Sequence, residues 1–187
     1  DHGPKALELA LGSKMPKLQE FVPRRMLAGK GNPNQGRPSS RNPKPSPAWQ
    51  KDIQRVAQGF AVKDVGEGGV RVHKSFRNRL AVQTHPLKRG VPSVLSRKVS
   101  VPKGKKTSLG VTVSHHPHGD FELRVKVDGK VISKRAVSSK TVTDEWLTHN
   151  IDLSPFAGKT INLQLENFPS GWRNEWAYWH EVKVTSN

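Results

Sequence analysis

The chain has 187 residues, no cysteine, 32 Lys/Arg against 15 Asp/Glu, and a formal charge of +17. That length fits one domain plus an extension, and the missing cysteine excludes disulfides, thiolate metal sites, iron–sulfur clusters and covalently attached haem. No apolar run reaches the ~18–20 residues of a membrane-spanning helix. The charge is uneven: residues 1–90 carry 18 Lys/Arg and 6 Asp/Glu, residues 91–187 carry 14 and 9. Such an excess attracts polyanions and acidic surfaces without naming one.

Residues 1–58 read as an extended basic arm. Lys5–Leu11 could form a short helix, but Gly29–Pro47 holds five prolines and three glycines in 19 residues, which precludes a regular element there. Two readings stay open for the arm: a flexible linker, or a strap over a partner in which Arg24, Arg25, Arg37, Arg41 and Lys44 meet an anionic surface or neighbouring subunit. A helix is predicted over 48–60 from the spacing of Trp49, Ile53, Val56, Ala57 and Phe60, with Ser46 as N-cap, Pro47 in the first turn and Gly59 as terminator.

From Phe60 the period becomes two. Phe121, Leu123, Val125 and Val127 alternate with charged residues, Asp128-Gly129 offers a tight hairpin, and Val131–Val137 returns. Leu109, Val111 and Val113 form a second alternating series, Ile161, Leu163 and Leu165 a third, and Val182 and Val184 a fourth. Weaker strands fall near 61–65, 70–74, 79–84, 93–101 and 146–152. Asp152–Lys159 fits one helical turn capped by Ser154, with Phe156 as a core plug. The expected fold over 59–187 is an all-β antiparallel sandwich.

Several segments carry candidate chemistry. His115-His116-Pro117-His118-Gly119-Asp120 places three imidazoles and a carboxylate between two strong strands. His116, His118 and Asp120 are candidate ligand contacts, set against a metal site and a plain solvated turn. Trp172, Arg173, Asn174, Glu175 and Trp176 lie in the densest aromatic run. An exposed indole beside polar groups can stack on a sugar face while its neighbours bond hydroxyls; Trp172, after Pro169-Ser170-Gly171, is the best placed. Trp146, Trp176, Tyr178 and Trp179 also have core readings, with a bulge expected near Trp179. Residues 71–79 form a basic stretch that either grips anions or serves as a charged edge strand. No nucleophile elbow, phosphate loop or metalloprotease helix is visible. Asp144 and Glu145, if in a strand, would face opposite sides and make a poor glycosidase pair.

The succession of Thr84–Leu87, VPKGKKTSLGVTVS, GDFELRVKVDGKVI, a Trp followed by DLSPFAGKTINLQLEN, and GWRNEWAYWHEVKV resembles galactose-binding-like jelly rolls. It is most similar to the novel putative carbohydrate-binding modules of secreted bacterial proteins, over roughly residues 60–187. The resemblance implies a non-catalytic module that binds glycans or another protein through loops at one end; no cofactor and no metal ligand set is expected. It also implies an exported protein, periplasmic or extracellular; a first residue Asp1 is compatible with a removed leader. The alternative is an accessory subunit tied into an assembly by its arm. Nucleic-acid binding ranks last, because the sandwich lacks a basic strip of stacking aromatics.

Overall fold

The computed structural model describes residues 45–187. Arg24, Arg25, Arg37, Arg41, Lys44 and the expected helix at 5–11 lie outside them.

A helix α1 spans Pro47–Ile53, and the Ser46 hydroxyl accepts the Trp49 N–H at 3.2 Å as expected of an N-cap. It stops six residues before the expected terminator. The Gln54 side chain accepts the Gly59 N–H at 2.7 Å and donates to the Phe60 carbonyl at 2.7 Å, folding residues 54–60 into turns. Ile53, Val56, Ala57 and Phe60 are all buried in the main core, so the apolar spacing marks a buried face that a helix only begins.

Ten strands follow: β1 Ala61–Lys63, β2 Arg71–Phe76, β3 Arg79–Thr84, β4 Ser93–Ser100, β5 Thr107–His115, β6 Phe121–Val127, β7 Lys130–Val137, β8 Leu147–Asp152, β9 Thr160–Pro169 and β10 Ala177–Ser186. Two five-stranded antiparallel sheets have the orders β1-β4-β9-β6-β7 and β2-β3-β10-β5-β8. Leu95, Leu123, Val125, Leu163 and Leu165 of the first sheet and Val82, Leu109, Val111, Val113 and Trp179 of the second fill the shared interior. Leu109, Leu123, Val125 and Leu163 alternate with more exposed residues, which is why the period-two pattern finds them, whereas Val82, Val113 and Trp179 have buried neighbours in their strands.

Turn chemistry sets the registers. Asp128 and Gly129 have φ of +50° and +81° and join β6 to β7, the two left-handed residues of a tight hairpin. Arg77 and Asn78 (φ +49° and +62°) join β2 to β3 in the same way without a glycine. Asp144 and Glu145 also occupy left-handed backbone, inside a turn closed by Thr143 and Trp146; they precede the strand expected from Trp146 onward.

The expected helical turn is a 3-10 turn, Ser154–Phe156. Leu153 stands at its N-terminal cap without a side-chain bond, and the Asp152 carboxylate before it accepts the Ser154 N–H at 2.9 Å, so Ser154 is not the cap. Fully buried Leu153 fills the core there, and Phe156 packs at the margin. In β10 the register shifts between Trp179 and Glu181. That bulge turns Trp179 and Val182 both inward, and the Trp179 indole N–H donates to Thr84 Oγ1 at 2.9 Å inside the core.

Candidate functional site

Strand pairing gathers three loops at one end of the sandwich. Thr84, Ala177 and His115 lie side by side in one sheet, and Ser93 beside Asn167 and Phe121 beside Pro169 in the other. The β3–β4, β5–β6 and β9–β10 connections therefore leave from the same edge, bringing His85, the His116–Asp120 loop and the Ser170–Trp176 loop together.

Trp172 and Trp176 are half-buried, with buried His85 between them at ring-centroid distances of 5.4 and 5.1 Å. His116 packs on the other side of Trp176 at 5.1 Å and is 5.8 Å from exposed His118. An open depression of about 360 Å³ is lined by Glu67, His85, Trp172, Arg173, Asn174 and Trp176. It offers two indole surfaces, an exposed guanidinium, an amide and a carboxylate.

Glu175, expected as a ligand contact, is 3% exposed. Its carboxylate accepts the Ser170 N–H at 3.0 Å and the Gly171 N–H at 2.6 Å, so it braces the turn that presents Trp172. Burial pushes its carboxyl above the ordinary range against those hydrogen bonds, and the nearby Asp120 charge pushes the same way. The Ser170 hydroxyl sits between the two carboxylates, bonded to Asp120 and 3.3 Å from Glu175. Asp120 thus joins the same brace while remaining exposed.

Asn174 has φ +62°, and its amide donates to the His118 carbonyl at 3.4 Å. Gly119 lies so close that a Cβ there would come within 2.0 Å of the Asn174 carbonyl oxygen. The two loops interlock at this point, which makes the absence of a side chain at 119 a packing requirement.

His115 is buried, and its Nδ1–H faces the carbonyls of His116 and Gly119 at 2.6 and 2.8 Å, so it ties the loop together. His116 Nδ1 accepts the His118 N–H at 3.2 Å. Desolvation, then the charges of His118, His115 and Arg77, lower the His116 pKa, which favours the neutral ring. Among the described residues no three His, Asp or Glu side chains converge as a metal-binding set. Sequence reasoning missed His85 and Glu67 as lining residues. His85 follows β3 directly, beside the strand end that carries His115; only the pairing of both strands with β10 makes them neighbours.

Trp179, Tyr178 and Trp146 take their core readings. Trp179 lies between the sheets. Tyr178 and Trp146 are 5% and 4% exposed in a second cluster, where Phe76 stacks on Tyr178 at 3.8 Å.

No protein-family model and no curated protein matches the chain. Solved structures do. The K1 cleaved adhesin domain of Lys-gingipain from Porphyromonas gingivalis is similar at TM-score 0.51 and 11% identity, over 71% of this chain and 93% of that one. A cyclase from Fischerella sp. TAU is similar at TM-score 0.50 and 12% identity, over 71% and 86%. The fold is a jelly-roll β-sandwich. The CBM22-1 xylan-binding domain from Paenibacillus barcinonensis is also similar, at TM-score 0.47 and 15% identity, over 72% and 90%. At such identities the jelly roll is shared and the ligand is not thereby assigned.

Proposed function

We propose that this jelly roll is a non-catalytic binding module of an exported protein and takes a glycan in the loop-end depression. The observation that carries the reading is the pairing of half-buried Trp172 and Trp176 around His85, with Arg173, Asn174 and Glu67 on the rim. A sugar ring has an apolar C–H face and a belt of hydroxyls. Indole surfaces suit the face, and guanidinium, amide and carboxylate groups suit the belt. The loop is held in advance by Glu175 and Asn174, so little ordering is needed on binding.

Affinity electrophoresis toward the cathode, in gels containing the neutral polymers xylan, β-glucan or galactomannan, tests this. At least one polymer is expected to retard the wild-type chain. Trp172→Ala should remove about 2 kcal/mol of binding, roughly thirtyfold in affinity, with a near-native melting temperature. Retardation unaffected by Trp172→Ala, or no retardation by any polymer, would sink the reading.

A further inference from the structure

The opposite end of the sandwich bears a fixed cluster of lysines. The β4–β5 connection, Val101-Pro102-Lys103-Gly104-Lys105-Lys106, projects from that end with its three lysines exposed. Gly104 has φ +72° and open space around it, so the loop bends outward at its tip. Both feet are tied down. The Val101 N–H donates to the Lys159 carbonyl at 2.9 Å and its carbonyl accepts the Gly158 N–H at 2.7 Å. At the other foot Lys106 and Asn187 exchange backbone hydrogen bonds of 3.1 and 3.0 Å.

The first of these pairings sets exposed Lys159 against the foot of the connection that carries Lys103, Lys105 and Lys106. The Lys103 stem lies over Gly158, where a Cβ would come within 2.7 Å of its Cε. Two acids share this end and each has an oxygen engaged locally: Asp128 accepts the Asn162 N–H at 2.8 Å and Asp152 the Ser154 N–H at 2.9 Å. Four exposed lysines on an anchored backbone present positive charge that a polyanion can meet.

We infer that this lysine-bearing end is a second binding surface, for an anionic polysaccharide carrying sulfate or carboxylate groups. Lysine is a point charge suited to either group. A membrane-inserting edge would carry exposed Trp, Phe or Leu. Among the described residues no Trp, Phe or Leu is among the exposed large hydrophobics: those are Val131 and Ile132, which follow the Asp128-Gly129 hairpin at this same end, and Phe156 is half-buried against the core. Binding of single-stranded nucleic acid relies on exposed stacking rings, and neither the 101–106 nor the 153–159 connection presents one. The ends of β10, which spans ten residues, set the two binding surfaces apart by about 30 Å.

The test compares two quadruple charge reversals in the full chain. One is K103E/K105E/K106E/K159E. The other, K51E/K74E/K134E/K140E, makes the same change in net charge at exposed lysines elsewhere. Affinity for heparin and for hyaluronan is measured by fluorescence titration from 50 to 300 mM NaCl, with circular dichroism confirming the fold of both variants. The first variant is expected to lose about tenfold or more in heparin affinity at 150 mM NaCl with a shallower salt slope, and the second less than about threefold. A greater loss on heparin than on hyaluronan assigns sulfate; the reverse assigns carboxylate. Equal losses in the two variants would overturn the proposal. So would a cluster-specific loss that is as large for a DNA duplex, or for vesicles of phosphatidylcholine and phosphatidylserine, as for heparin. None of these outcomes depends on Trp172.

Discussion

At the scale of single residues, the loop end holds two groups that titrate in opposite senses. The Glu175 carboxyl is raised above its unfolded value, with burial as the main cause. The folded state therefore binds this proton more tightly, and the stabilisation is fully present below the unfolded pKa and is lost as pH rises through the folded one. Glu175→Gln removes that dependence, so the melting temperature of the variant minus that of the wild type should grow from pH 4 to pH 7. A flat difference would mean that Glu175 is not held in its desolvated state. His116 is the reverse: its lowered pKa gives stability that is present above the unfolded value and lost as pH falls through the folded one. His116→Gln should flatten the loss of stability as pH falls below about 6.5, measured by thermal melts against the wild type. Neither sign is legible in the sequence, because both follow from how closely three loops pack. What is legible is the identity of the groups: a histidine-rich turn and a Trp-Arg-Asn-Glu-Trp run, each between strong strands.

At the scale of elements, alternation of apolar residues makes β5, β6, β9 and β10 readable, where one face is buried and the other comparatively exposed over much of the strand, whereas β2 and β7 bury little on either face. Elements without that signal are misread. Gln54 ends α1 through a side-chain bond to Gly59, and no periodicity announces such a bond. The β2–β3 hairpin turns on Arg77-Asn78, where a glycine would normally flag left-handed backbone. That absence has a consequence. A non-glycine residue in this region costs roughly 1–2 kcal/mol, less for Asn, whose side chain tolerates it. Asn78→Gly should leave stability within about 0.5 kcal/mol of the wild type or raise it, while β-branched Asn78→Val should lower it by at least about 1 kcal/mol. Urea unfolding measures both; equal effects would show that the hairpin is fixed by its strands and not its turn. The Gly119 contact with Asn174 is a stricter case. Gly119→Ala meets backbone at 2.0 Å and forces two loops apart, with an expected cost of about 1–3 kcal/mol and a loss of binding at the loop-end site.

At the scale of the whole molecule, sandwich topology decides which residues can act together. Strand order puts β3, β10 and β5 side by side, and this adjacency, formed over sequence separations that no local pattern reports, assembles His85, Trp176 and His116. The same topology sends the β4–β5 and β8–β9 connections to the far end, so the aromatic and lysine surfaces share a core but no side-chain contact. Two sites that far apart without common partners should be energetically independent to within about 0.3–0.5 kcal/mol. A double-mutant cycle checks this, with Trp172→Ala and the quadruple lysine reversal alone and combined, titrated with the polymer that retards the wild type and separately with heparin. Each change should affect one ligand and leave affinity for the other within about twofold. A coupling above about 1 kcal/mol would require the two ends to communicate through the packed core of the two sheets.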